Sequence, residues 1–288
     1  MSVLTKMIGR LPRSWIKAAS RARWRSRLWA WGFDLVANQL RGRDGTVQQG
    51  VGKGLRFNAG RSNAGYLLGT SDPDLQAALA VCLSEGMTFH DVGANVGFFS
   101  MIAARLVGPA GTVVSFEPLA QSANQVRYNA ALNHFAHVSV LAVALGDTDR
   151  EARLLVSAQS AWCRLEGLGS QPSDLVGETT VPLKRLDSLL AEGALKAPDV
   201  MKVDVEGAEV MVLAGARETL RKWRPVLLID LHGTNAAVAG LLRELDYRCR
   251  VIGSDTPVER APWWVTVAAV PAERPDAEEL VSRLCAGA

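Results

Sequence analysis

Nothing in the spacing of the cysteines suggests a metal knuckle or a redox pair: Cys82, Cys163, Cys249 and Cys285 lie far apart, without a C-x-x-C element. Four thiols in 288 residues also fall short of a dense disulfide frame, and a reducing compartment fits this usage best. No run of about eighteen apolar residues exists. The basic start leads into neither an uninterrupted apolar stretch nor a small-residue cleavage site. Neither a membrane span nor a secretory leader is therefore expected, and the expected location is cytoplasmic. Internal repeats and low-complexity tracts are lacking too.

A strong charge asymmetry lies behind the modest net value of +3. Residues 1–43 hold ten Lys or Arg against Asp34 alone, so the arm carries +9 and the rest of the chain -6. Trp15, Trp24, Trp29, Trp31 and Phe33 alternate there with Lys17, Arg21, Arg23, Arg25 and Arg27, a mixture suited to a lipid headgroup layer or to folding back over the body. Peripheral membrane contact through this arm is one expectation. Nucleic acid is not an expected partner, because the positive charge belongs to the arm and not to the body.

Three segments follow from the pattern: the Trp-rich basic arm at 1–43, a hairpin and capping helix at 44–86, and a catalytic domain at 87–288. Gly50-Val51-Gly52-Lys53-Gly54 imitates a phosphate loop, but Val47 and Gly54 occupy positions where that motif needs Gly and Ser or Thr, so a hairpin is the reading. Ser71-Asp72-Pro73 marks a helix start with a capping side chain and proline in the first turn. From Met87 onward, strand-like runs near 88–92, 112–117, 138–143, 199–204 and 225–231 alternate with helical periodicity. Such alternation predicts an α/β fold, a doubly wound and mostly parallel sheet with helices on both faces. Tyr247 to Ile252 and Trp263 to Val270 predict a C-terminal antiparallel hairpin at the sheet edge. Residues 147–198 read as an insertion, with a loop near the active face.

The chemistry concentrates at the strand ends. In Phe89-His90-Asp91-Val92-Gly93-Ala94-Asn95-Val96-Gly97, a buried strand runs into a turn whose glycines allow close backbone approach and whose Asn95 tolerates unusual dihedrals. A dinucleotide fingerprint would require glycine at 95 and 98, where Asn95 and Phe98 stand. Asp91 favours a ligand with an ammonium group over a pyrophosphate. Glu117 ends the next strand, twenty residues beyond Gly97, where open sheets use an acid to hold ribose hydroxyls. A nucleoside joined to an amino-acid cation is S-adenosylmethionine, the expected cofactor.

With these stretches, Met201-Lys202-Val203-Asp204-Val205-Glu206-Gly207-Ala208-Glu209, Leu186-Asp187-Ser188-Leu189 and Arg224-Pro225-Val226-Leu227-Leu228-Ile229 resemble the FkbM family of S-adenosylmethionine-dependent methyltransferases, over roughly residues 45–270. That resemblance implies a class I, Rossmann-like methyltransferase fold and methylation of a hydroxyl on a sugar, glycolipid or other natural product. It places Asp91, Gly93, Ala94, Asn95 and Gly97 on the methionine side, Glu117 at the ribose, and Ala144 to Asp147 beside the adenine.

For the chemistry itself, Asp204 and Glu206 follow one strand, Asp230 and His232 another, and these ends share a crevice. Asp204, His232 and Glu206 are the catalytic candidates, with His232 attractive as a base because an ordinary imidazole titrates near neutrality. Glu206 has a second reading as a cap for the next helix, and Asp230 one as a buried partner of Lys202. No metal is assigned, since Lys202 or the sulfonium can balance the carboxylates. A small-molecule or saccharide acceptor is the expected partner. An RNA methyltransferase using the arm and a non-catalytic nucleoside-binding module stay open as alternatives.

Overall fold

The computed structural model describes residues 42–60, 62–63, 65–158, 162–168, 174–193 and 195–286. The arm at 1–43 lies outside them except for Gly42 and Arg43. Two short strands, β1 (Gly45–Thr46) and β2 (Arg56–Phe57), pair antiparallel. Helices α1 (Gly65–Leu68) and α2 (Pro73–Cys82) follow. Proline opens α2 as expected, but Asp72 gives it no side-chain cap and instead adopts a left-handed backbone, φ 44°.

The core alternates as the periodicity predicts: β3 (Thr88–Val92), α3 (Phe98–Val107), β4 (Thr112–Phe116), α4 (Ala120–Leu132) and β5 (Val138–Leu141). The chain then enters β6 (Ala144–Leu145), β7 (Arg150–Ser157), β8 (Arg164–Leu165), β9 (Leu175–Lys184) and α5 (Leu186–Ala191). It returns through β10 (Val200–Val203), α6 (Glu209–Gly215), α7 (Arg217–Trp223), β11 (Val226–His232), α8 (Asn235–Glu244) and β12 (Tyr247–Val251). A 3-10 turn at Val258–Arg260, β13 (Trp264–Pro271) and α9 (Ala277–Cys285) complete it.

Seven strands form the main sheet in the order β12-β13-β11-β10-β3-β4-β5. Strands β11, β10, β3, β4 and β5 pair parallel, while β13 runs antiparallel to both neighbours. The C-terminal hairpin is therefore present, but β13 is inserted beside β11 and β12 alone forms the edge. Strand β3 is buried at every position, as a strand covered on both faces must be. On one face Phe89, Val200 and Leu228 pack with Leu79, Ile102 and Val281 of α2, α3 and α9. On the other, Val92, Met201, Leu227 and Ile229 meet Val212, Leu220 and Val238 of α6, α7 and α8. Leu227, Leu228 and Ile229 thus alternate between two cores, the period-two signature of a strand.

Two expectations change. The stretch after residue 147 is not simply a loop: β6, β9, β7 and β8 form a second, four-stranded sheet. It covers a small core of Ala152, Leu154, Val181 and Leu183, and most of β9 remains exposed. The helical run after Gly207 is also divided, with Ala216 separating α6 from α7. Among the described residues no helix is long and apolar enough to cross a membrane.

Candidate active site

Parallel pairing aligns the carboxyl ends of the central strands, and the turns that follow them share one crevice. Val92 lies opposite both Phe116 and Val203 in register. The next residues, Gly93, Glu117 and Asp204, consequently stand side by side.

Asp91 does not face that crevice. It is fully buried, with Oδ1 3.4 Å from Lys202 Nζ and Oδ2 accepting a 2.6 Å hydrogen bond from Ser100. Ser115 donates in turn to Ser100. The cation that balances Asp91 is therefore the protein's own lysine, not the ammonium of a ligand, which corrects the expectation for this residue. Burial alone would lower the Lys202 pKa, but Asp204, Asp91 and Asp230 override it and raise the value. Asp204 lies 3.3 Å from the same ammonium and keeps 32% of its side chain exposed, so it is the carboxylate of this group that looks outward.

The β3–α3 turn is built against protein as much as against open space. Gly93 and Ala94 donate their N–H groups to Phe116 O. A Cβ at Gly93 would stand 1.9 Å from Asp204 O, and one at Gly97 2.9 Å from Val126. Both glycines also have positive φ, 78° and 82°. Their first duty is thus to let strands and helices approach. Asn95, left-handed at φ 49°, donates its N–H to Glu117 Oε2 and its side-chain amide to Ser62. Glu117 Oε1 accepts from Leu119 N. Burial pushes the Glu117 pKa up to about 8 against these two N–H donors. Its carboxylate braces two loops, and its remaining lone pairs lie at the end of β4.

Asp204, Glu206 and His232 come together, each offering an atom within 4.8 Å of the others. Glu206 adopts φ 51°, and Oε1 lies 3.7 Å from His232 Nε2 while Oε2 lies 3.6 Å from Arg164. Glu206 does not cap the next helix, since α6 has Ala208 at its N-cap and no side-chain cap; Glu209 Oε1, at the first position of α6, accepts from Gly207 N. Fully buried, Glu209 also accepts from His232 Nδ1 at 2.9 Å and from Thr234 at 2.8 Å. Burial opposes the charge on His232, yet the Glu209 hydrogen bond and the charges of Glu206 and Asp204 raise its pKa to about 9. An imidazole so held is charged at neutrality, which corrects its reading as a free base. Trp263 stands edge-on to the ring, at 5.8 Å between centroids.

Other candidates disperse. Asp230 accepts a hydrogen bond from Thr266 and senses Lys202 electrostatically, in line with a buried structural role. Ala144 is buried in the small core that also holds Ala208, with Leu119 packed against it. Asp147 is exposed and lies beside Gly215, at the end of α6 away from His232, because β6 has already turned into the second sheet. Asp147 therefore leaves the site. Glu209, Arg164 and Trp263 join it without having been singled out; only the Glu-Gly-Ala-Glu spacing hinted at the first.

The crevice chemistry fits S-adenosylmethionine. Asp204 keeps a partly open carboxylate at the end of β10, Glu117 stands beside it at the end of β4, and α3 begins at Gly97 without a side-chain cap.

The sequence profile described as Methyltransferase FkbM domain matches residues 91–249. The 31-O-demethyl-FK506 methyltransferase FkbM of Streptomyces tacrolimicus is 29% identical over 191 residues, which cover 56% of this chain and 72% of that protein. AMB antimetabolite synthetase AmbE of Pseudomonas aeruginosa is also 29% identical, over 189 residues, and the match covers 52% of this chain and 9% of AmbE. Among solved structures, methyltransferase FkbM from Methylobacillus flagellatus KT aligns over 72% of this chain and 53% of its own, with 16% identity and a TM-score of 0.45. With more than half of its length matched by that profile, the chain belongs to the FkbM methyltransferase family, whose methyl donor is S-adenosylmethionine.

Proposed function

We propose that the protein methylates a hydroxyl oxygen of a small-molecule or saccharide acceptor bound over Asp204, Glu206 and His232. The observation that carries this reading is the convergence of those three side chains at the ends of β10 and β11, next to the Gly93 turn. The relative from Streptomyces tacrolimicus, named for an oxygen position on a natural product, supports the choice of oxygen.

S-adenosylmethionine supplies an electrophilic methyl group. Gly93, Ala94, Asn95 and Gly97 shape the turn that receives it; Glu117 holds the ribose, and Ala144 contributes apolar surface nearby. Asp91 acts indirectly, by fixing Lys202 and through it Asp204. The negative charge of Asp204 and Glu206 favours loss of the acceptor's proton, and general-base assistance of this kind contributes on the order of 10^2- to 10^4-fold. Burial raises the Glu206 pKa, which makes it a stronger base than an ordinary carboxylate. His232, oriented by Glu209, aligns the acceptor oxygen, and alignment is a large part of what such an enzyme must provide. Methyl leaves sulfur, joins oxygen, and one proton is released per turnover. The basic arm supports a further role, contact with an anionic membrane surface where a lipid-linked acceptor would lie.

Incubation with S-adenosylmethionine and an extract of the native organism, followed by mass spectrometry, tests the reading. The expected product gains one methyl group on oxygen. Methylation confined to nitrogen or carbon overturns it, as does calorimetry showing no affinity for the cofactor.

A further inference from the structure

We infer that Asp204, Glu206 and His232 form a binding site for one divalent cation of the Mn2+ or Zn2+ type. Metal bonds of about 2.1 Å place adjacent ligand atoms about 3.0 Å apart and opposite ones about 4.2 Å apart. Glu206 Oε1 and His232 Nε2 stand at 3.7 Å, and all three residues offer atoms within 4.8 Å, so small side-chain rotations close the set.

The supports are rigid. Asp204 directly follows β10, His232 ends β11, and Glu206 is fixed by its left-handed backbone between them. Glu209 supplies the feature that separates this cluster from an ordinary group of acids. Fully buried, it engages His232 Nδ1 at 2.9 Å and so turns Nε2 toward Glu206, where the cation would take the place of the Nε2 proton, and it is itself held by Gly207 N and Thr234. A carboxylate behind a histidine is the usual outer support of a metal-bound imidazole, fixing both tautomer and ring orientation.

The neighbouring cations leave room. Lys202 approaches Oδ2 of Asp204 and Arg164 approaches Oε2 of Glu206, whereas Oε1 of Glu206 faces His232. Asp230, the fourth residue that sequence places at these strand ends, is turned to Thr266 and takes no part. One imidazole nitrogen with two carboxylate oxygens suits Mn2+, Fe2+ or Zn2+ better than the all-oxygen shells of Ca2+. Side-chain exposures of 32%, 14% and 8% for Asp204, Glu206 and His232 keep part of the sphere open. An acceptor hydroxyl would take that open part and lose its proton more readily there; this use of the site rests on the proposed methyl transfer, whereas binding of the cation does not.

The test uses the full chain stripped with chelator and titrated with MnCl2, followed by loss of the free Mn2+ paramagnetic resonance signal, with ZnCl2 and MgCl2 followed by calorimetry. One site per chain is expected, with Zn2+ or Mn2+ bound more tightly than Mg2+. Glu206→Gln and His232→Gln should each weaken it by at least tenfold, and Glu209→Gln, which of the three proposed ligands bonds only the histidine, by about 10- to 100-fold. Affinity for S-adenosylmethionine measured in the same stripped variants verifies that each is folded. Absence of saturable Mn2+ or Zn2+ binding, with or without the methyl donor, overturns the inference. So does binding that survives Glu206→Gln and His232→Gln unchanged. Full methyl transfer after exhaustive chelation would remove the cation from the reaction, while a bound cation without transfer to any hydroxyl would count against the acceptor reading alone.

Discussion

Lys202 on β10 and Asp91 on β3 stand opposite each other in the parallel register, and their charged groups meet at 3.4 Å with both side chains buried. The ammonium also lies 5.3 Å above the ring of Phe99. Removing one partner strands the other's charge in the core, a loss worth about 3–5 kcal/mol. Lys202→Met should therefore lower stability by that order in urea denaturation. Adding Asp91→Asn to Lys202→Met should recover part of the loss, and strictly additive losses would refute the pairing.

Gly93→Ala tests a different constraint. The new Cβ would meet Asp204 O at 1.9 Å, and φ is 78°. Strain in the left-handed region alone costs roughly 1–2 kcal/mol. Gly54 shares the strain at φ 88° but has nothing within 4 Å, so Gly54→Ala isolates the conformational cost. Gly93→Ala is expected to lower the melting temperature more and to weaken S-adenosylmethionine binding in calorimetry. Equal effects of the two substitutions would show that the backbone contact is unimportant.

These two sites also show which information the sequence carries. Apolar runs such as Leu227-Leu228-Ile229 announce buried strands, and the acids directly after them announce the crevice, so Asp204, Glu117 and His232 are legible from local pattern. Which charge meets which is not local. Lys202 finds Asp91 across 111 positions of chain only once β10 settles beside β3, and a carboxylate next to a glycine turn otherwise reads as a ligand group. The second sheet is not legible for a related reason: six consecutive exposed positions in β9 blur the alternation that marks a half-buried strand. Asp147 looked like a strand-end residue because the turn of the chain into β6 leaves no compositional trace.

Glu117→Gln addresses the ribose. The amide keeps one acceptor but cannot serve both Asn95 N and Leu119 N while facing a diol. Leaving a buried N–H or a ribose hydroxyl without its acceptor should weaken the methyl donor by roughly 10- to 100-fold. Because the demethylated product has the same ribose, calorimetry should show an equal loss for S-adenosylhomocysteine. A loss restricted to the sulfonium form would place Glu117 elsewhere.

The basic arm yields a prediction from sequence alone. Deleting residues 1–43 removes a charge of +9 and four of eight tryptophans, and the truncated chain should bind anionic vesicles less than the full one. Cofactor calorimetry should be unaffected, since the described residues that form the crevice all lie beyond the arm. Vesicle binding that is unchanged by the deletion would exclude membrane contact through the arm.

His90 makes the fold itself sensitive to acid. Fully buried in β3, its Nε2 donates to the carbonyl of Lys196 at 2.9 Å, and its ring meets Phe116 edge-on at 5.4 Å. Burial lowers its pKa to about 4 from the ordinary 6.5, the hydrogen bond opposing only in part. The folded state thus favours the neutral ring. Its contribution is fully present above pH 6.5 and is lost as pH falls toward 4, where the unfolded chain gains the proton first. A shift of this size corresponds to at most about 3 kcal/mol. His90→Gln, which can still donate to Lys196, should cost some stability at pH 7 but lose less between pH 7 and 4.5 than the native chain does. Urea midpoints measured across that range in both proteins compare the two slopes, and the carboxylates common to both cancel. Parallel slopes would mean that His90 is not the group that takes up the proton.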